Sequence, residues 1–278
     1  MKKLGFTLVE LVVALAVIAV LTHLAVRELS HLRDGKLAKA ADRQLEEIRA
    51  SVYSRNAGEE ATGFLADMGR LPRLADDVRT DAFGHTAITN STLSELWLMP
   101  PNAKPYAVRQ ATAENLVPGL ASLAHDAVYV PTGWRGPYLR LPFGKTRLFD
   151  PWGNPIEAED EAGLQRLTAT NGFVTAVSHF GPKAQASGER RISLIPERGE
   201  TNRLIVTTSS ASGEVRWYGP ADGLITGAVE SVSATKPAVF NGLTPGRRIL
   251  FFKNAVRVID VRVIDVKPGD NLISLDQP

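Results

Sequence analysis

Met1-Lys2-Lys3-Leu4-Gly5-Phe6-Thr7-Leu8-Val9-Glu10-Leu11 opens the chain, and its reading decides the architecture. Two lysines lead into an apolar run from Phe6 to Val26 that carries a single charged side chain, Glu10. As a helix rising 1.5 Å per residue, the run would be about 31 Å long, which matches a bilayer core of about 30 Å. Lysines before the run and none within it predict, by the positive-inside rule, a cytoplasmic N-terminus, with everything after Arg27 beyond the membrane.

Three kinds of segment share this outline: a secretory signal peptide, a plain membrane anchor, and the leader and helix of a prepilin. Glu10 separates them. A carboxylate in a membrane run costs on the order of 2.5–3.5 kcal/mol at mid-bilayer and less towards the interface. A simple anchor or signal peptide gains nothing from it, whereas a helix that polymerises can use it. The segment Gly5-Phe6-Thr7-Leu8-Val9-Glu10 resembles the signature of type IV pilins and type II secretion pseudopilins. The resemblance implies that a prepilin peptidase cuts between Gly5 and Phe6, that residues 1–5 are the leader, and that Phe6 becomes an N-methylated terminus. It also implies that the Phe6 ammonium group pairs with Glu10 of a neighbouring subunit and sets the axial register.

The pattern continues beyond the membrane. From Glu28 to about Ala57, apolar residues recur at Leu29, Leu32, Leu37, Ala41, Leu45, Ile48 and Val52, close to one helical face. No proline occurs before Pro72, and Gly35 is the one weak point, costing about 1 kcal/mol against alanine. One helix over 6–57, transmembrane over 6–26 and amphipathic thereafter, accounts for both halves. Removal of a signal peptide near Ala25 would instead leave the outer half as an isolated surface helix.

Glu59 to Leu71 reads as a second helix that ends before Pro72. Further on, Gly133-Trp134-Arg135-Gly136-Pro137-Tyr138-Leu139 and Asp150-Pro151-Trp152-Gly153-Asn154-Pro155-Ile156 are turn chemistry with aromatic area attached. Both phrases, and Phe64 to Pro72, are similar to segments of the type II secretion major pseudopilin. A strand is expected over Val174 to Phe180. Between these segments lies an insertion at about 73–132, with a helix expected around Glu114 to His125. The family's major subunit commonly binds calcium in the loop that here runs from His179 to Glu189. Only Glu189 supplies a carboxylate there, while a calcium site takes six to eight oxygen ligands, so no cofactor is expected.

From about residue 201 the texture changes to short alternating strands, at Leu204–Thr207, Val215–Tyr218, Gly227–Ala234, Arg248–Phe252 and Val256–Val266. Phe240 to Gly246 and Val266 to Asn271 resemble turns of the carboxypeptidase-regulatory-like β-sandwich family, which implies an interaction or spacer module for 201–278.

Composition narrows the remaining choices. The net charge of +2 and the lack of a long run of one sign give no footprint for nucleic acid. Cysteine is absent, which excludes disulfides and thiolate chemistry. His23, His31, His85, His125 and His179 have no metal-ligand spacing, and no catalytic motif locates an active site. The expectation is therefore an α+β protein: a long N-terminal helix packed on a small antiparallel sheet within a globular domain over 58–200, followed by a small all-β module. It is expected to be a non-enzymatic pseudopilin of a bacterial inner membrane, single-pass, with its C-terminal domains periplasmic. Prepilin peptidase, other pseudopilin subunits in homo- or heteropolymers, an inner-membrane assembly platform and membrane lipid are its expected partners. The alternative is a type IV pilin-like surface adhesin that binds through the β module.

Overall fold

The computed structural model describes residues 8–54, 61–73, 75–80, 86–124, 127–159, 176–179, 190–194, 202–209, 212–254, 257–267 and 269–275. A helix, α1 (Leu8–Val52), leads into a mostly β region made of several sheets. At 1.5 Å per residue its 45 residues span about 68 Å. The helix runs through Gly35 without a break. Its expected continuation to Ala57 falls largely outside the described residues, but Tyr53 already lies beyond its last turn.

The outer end of α1 is held by packing. Ala41, Leu45, Ile48 and Val52 follow a 4-3-4 spacing, so they share one face, and all four are buried. They meet a short helix, α2 (Phe64–Met68), and a three-stranded antiparallel sheet of β5 (Glu157–Glu159), β6 (Ala176–His179) and β7 (Arg190–Ser193). Phe64, Leu65, Met68, Val177 and Leu194 complete that core. Polar ties assist it. Arg190 donates to both oxygens of Asp42 at 2.9 Å, and the Gln44 amide donates to the Phe149 carbonyl at 2.9 Å.

The helix expected over Glu59–Leu71 is shorter, with Phe64–Met68 alone helical among the described residues. Gly63, at φ 106°, precedes it, and a Cβ there would meet the Val52 carbonyl oxygen at 2.7 Å. Gly69 then closes it in the left-handed region at φ 72°, its N–H donating to the Leu65 carbonyl.

The two aromatic loops pack as their turn chemistry predicts. In the first, the Trp134 indole donates to the Glu95 carbonyl at 3.0 Å, and the Tyr138 ring meets Phe64 edge-on at 5.5 Å. The Gly136–Pro137 peptide is cis. In the second, Asp150 organises its own turn by accepting from the backbone N–H groups of Trp152 and Asn154 at 3.0 and 2.8 Å. Trp152 thereby stacks on His179, with ring centroids 5.7 Å apart.

The insertion is not helical where a helix was expected. Residues 113–115 form a turn, Leu116 bridges to Ile225, and a single 3-10 turn covers Ala121–Leu123, while His125 lies outside the described residues. Pro118 and Gly119, the latter at φ 94°, interrupt the expected helix. The insertion instead supplies two antiparallel hairpins. These are β1 (Ala75–Thr80) with β2 (Thr86–Thr92), and β3 (Ala107–Gln110) with β4 (Tyr129–Thr132).

Among the described residues, the C-terminal region holds seven strands. β8 (Arg203–Thr207), β11 (Ala238–Phe240) and β14 (Asp270–Ser274) form one sheet, in the order β11-β8-β14. β9 (Gly213–Ala221), β10 (Leu224–Val232), β12 (Gly246–Lys253) and β13 (Val258–Val266) form the other, in the order β10-β9-β12-β13. Leu204, Val206 and Phe240 from the first sheet share a core with Val215, Trp217, Leu250 and Phe252 from the second. Side chains alternate along a strand, so Tyr218, Ile249 and Phe251 point out of the opposite face of the larger sheet. That face is not solvated. Leu116, Leu123, Val128 and Val130 of the insertion cover it, and the Tyr218 hydroxyl donates to the Leu123 carbonyl at 3.0 Å.

One guanidinium joins these parts. Arg70, just after α2, donates through Nε to Asp222 Oδ1 at 2.6 Å, and through Nη1 and Nη2 to the two oxygens of Glu95 at 2.6 and 3.1 Å. Glu95 also accepts from the Arg73 N–H at 2.8 Å. Burial opposes the Arg70 charge, but the hydrogen bonds from Glu95 and Asp222 outweigh it and hold the group above its usual range. Arg70→Met would leave Glu95, only 9% exposed, without its counter-charge. A loss of about 3–5 kcal/mol is expected in chemical denaturation of the detergent-solubilised protein. A loss under about 1 kcal/mol, the usual worth of a surface pair, would show that the three groups do not form a buried node.

A candidate assembly site on the N-terminal helix

Helix α1 divides into two lengths with different surroundings. Over Leu8–Val26 the large apolar side chains are exposed, from 52% at Val17 to 79% at Leu8, and Leu29 and Leu32 remain exposed at 69% and 64%. Within this helix a window with mean hydropathy 2.5 has none of its residues buried, and the helix is long and apolar enough to cross a membrane. Burial begins only at Leu37 and becomes complete at Ala41. The amphipathic stripe read from Leu29 onward is therefore longer than the part the globular region covers.

A helix apolar on all sides is a membrane or core helix, and this one has no core of its own over its first half. Burial of its side chains is worth about 25 cal/mol per Å² of apolar area removed from water. Lipid or other helices must supply that burial.

Glu10 stands in the first turn of α1 and is exposed. Gly5 and Phe6, the expected cleavage pair, lie outside the described residues, so the Phe6–Glu10 relationship rests on the sequence. Of the loop considered for calcium, His179 is described and 180–189 is not. His179 is buried against Trp152, with Nε2 3.9 Å from Asp42 Oδ1. Among the described residues no three His, Asp or Glu side chains are placed to hold a metal ion.

The structure adds functional geometry that no motif announced. Asp42, Gln44, Arg190 and Phe149 fasten the helix to the sheet just where exposure ends. Beside them, Trp152, His179 and Arg190 face Asp34, Gly35, Ala38 and Asp42 across an open cavity of about 400 Å³. Nothing lies within 4 Å of where a Cβ on Gly35 would sit, so its own chain does not demand glycine there.

A family model described as a prokaryotic N-terminal methylation motif matches residues 1–26. No curated protein and no solved structure matches the chain. The motif implies a subunit of the type IV pilin or pseudopilin class, processed by prepilin peptidase and assembled with other pilin subunits. A single apolar helix at that motif is consistent with a membrane-anchored protein.

The division of α1 predicts opposite outcomes for one substitution at two positions. Leu45→Ala should lower the stability of the globular region by about 2–5 kcal/mol, since Leu45 is 1% exposed. Leu29→Ala should leave it within about 0.5 kcal/mol. Denaturation followed by Trp fluorescence checks both, and equal losses would mean that the globular region grips more of the helix than this.

Proposed function

We propose that the chain is a pseudopilin subunit of a type II secretion filament, inserted with its N-terminus in the cytoplasm and its β-rich region in the periplasm. Its role is mechanical and not enzymatic. The observation that carries the reading is the bare apolar length of α1 with Glu10 in its first turn, joined to the methylation motif. Such a helix is stable in lipid and equally stable among copies of itself. Subunits can therefore leave the membrane for a filament without exposing apolar surface to water.

Support for the secretion branch comes from the two aromatic loops. The phrases Gly136-Pro137-Tyr138-Leu139 and Asp150-Pro151-Trp152-Gly153-Asn154-Pro155 resemble those of the major pseudopilin; the first packs on Phe64 of α2, and the second stacks Trp152 on His179 of β6. The insertion and the seven C-terminal strands make a larger head than that resemblance covers. A subunit with an enlarged head, working beside other pseudopilins on an inner-membrane platform, fits this division.

Gly5→Ala should block or greatly slow leader removal, seen as a persistent precursor on immunoblots. Glu10→Val should leave cleavage largely intact yet reduce filament yield. Normal processing in the first variant would refute the cleavage site, and an undiminished yield in the second would refute the register role of Glu10.

A further inference from the structure

Strand β13 forms one edge of the larger C-terminal sheet. It pairs with β12 on one side, and among the described residues no strand pairs with its other side. An open edge presents backbone N–H and C=O groups that can take up another strand, and proteins commonly guard it with lysine, proline, a bulge or a short strand. β13 is nine residues long and contains neither lysine nor proline. Its register shift lies at its start, opposite Phe252 and Lys253.

Side chains alternate along the strand. Asp260, Arg262, Ile264 and Val266 turn towards the smaller sheet. There Ile264 and Val266 join the shared core, and Arg262 donates to the Ser274 carbonyl at 3.1 Å. Ile259, Val261 and Val263 turn outward. The insertion buries Ile249 and Phe251, the β12 residues opposite Val263 and Val261, but its cover stops short of β13. Ile259, Val261 and Val263 are left between 47% and 63% exposed.

The order of residues in β13 says what fits this edge. A second copy can be laid antiparallel to it with Val261 opposite Val261. Ile259 of each copy then meets Val263 of the other on the outward face, and Asp260 of each meets Arg262 of the other on the inward face. Side chains directly opposite on paired strands lie about 4.5–5.5 Å apart, so apolar residues touch and opposite charges attract. Arg262 already donates to Asp260 within its own chain. Two such pairs set head to tail alternate in sign, and neither copy breaks its own ion pair. Other registers lose this match. A slip of one residue sets outward side chains against inward ones, and re-centring on Asp260 or Arg262 sets like charges directly opposite each other.

We propose that β13 is a docking edge for a second copy of this chain, the two strands pairing antiparallel about Val261 and joining two larger sheets into one. Such a contact uses the same patch on both copies and closes on itself, whereas a filament grows through contacts that do not close. The pairing is therefore separate from assembly through α1 and does not depend on Gly5, Phe6 or Glu10.

The chain lacks cysteine, so single cysteines can be placed in the full-length protein without background. In neutral detergent micelles with a short thiol cross-linker, Val261→Cys should give a linked dimer. A mixture of Ile259→Cys with Val263→Cys should give more than either alone. Leu272→Cys is the control, since Leu272 on β14 is more exposed than any of these and has no place in the pairing. Val261→Lys sets two lysines opposite each other and should weaken the dimer by about tenfold or more in analytical ultracentrifugation, with an unchanged circular dichroism spectrum. Glu10→Val, which the filament reading expects to lower filament yield, should leave linking through Val261→Cys as before, and its loss there would assign the contact to α1 instead. Linking at Leu272→Cys as strong as at Val261→Cys, a dimer indifferent to Val261→Lys, or a monomeric unsubstituted protein would each overturn the proposal.

Discussion

Everything in this molecule is arranged around an apolar helix that its own chain does not cover. From Leu8 to Leu32 the large side chains of α1 stand exposed, and the globular region takes hold only from about Leu37 onward. No soluble monomer keeps so long an apolar surface in water, because contiguous exposed patches beyond a few hundred Å² drive association or insertion. The covering must come from lipid or from like helices. The rest of the fold must then hold a long rod by one end.

The grip is built from two different kinds of interaction. Ala41, Leu45, Ile48 and Val52 supply apolar burial on one face, which is strong but does not by itself fix a direction. The paired hydrogen bonds of Asp42 with Arg190, and that of Gln44 with the Phe149 carbonyl, add orientation. Behind the grip, the Arg70 node links α2 to Glu95 in the insertion and to Asp222 at the β9–β10 turn. Gly69 belongs to the same device. It lies against Pro220 so closely that a Cβ would overlap the Pro220 carbonyl, and the Asp222 N–H donates to the Met68 carbonyl at 3.0 Å. The insertion also spreads over the outer face of the C-terminal sheet, so the β strands and the helix-bearing core share both apolar and ionic contacts.

The helix was legible from the sequence because its signals are local. A hydropathic run and a 3.6-residue stripe need no knowledge of distant residues. Five of the C-terminal strands were likewise visible as alternating runs, with boundaries shifted by a few residues. β11 and β14 were not, for a physical reason: Ala238–Phe240 is only three residues long, and Asp270–Ser274 begins with two polar residues. β14 pairs in parallel with β8, which no hairpin turn announces. The helix expected around Glu114 to His125 is not seen, because Pro118 and Gly119 interrupt the segment and it lies as a strap across the sheet. Leu116 and Leu123 are buried against Ile225 and the sheet. Arg70 was illegible for the plainest reason, since its partners are 25 and 152 residues away along the chain. At the candidate assembly site, Glu10 stood out because a lone charge in an apolar run is locally conspicuous. Arg248 did not, since its environment is assembled from Thr244, Gly219 and the Trp217 ring, the latter two on another strand.

The separation between grip and bare helix has a consequence for the proposed filament. Val26 and Ala41 are 15 positions apart, or about 22 Å along a helix. A change in what surrounds residues 8–26 therefore leaves the packed core of the globular region untouched. Lipid tails and leucine side chains are similarly apolar, so exchanging one for the other is nearly neutral for most of the helix. Glu10 is the exception. In lipid its carboxylate is costly, and beside an ammonium group of another subunit that cost falls. On this reading the free-energy difference that favours assembly is concentrated at one residue in the first turn. The long apolar surface keeps the exchange smooth, and the head beyond Ala41 remains a rigid passenger whose shape can be enlarged without altering how the subunit polymerises.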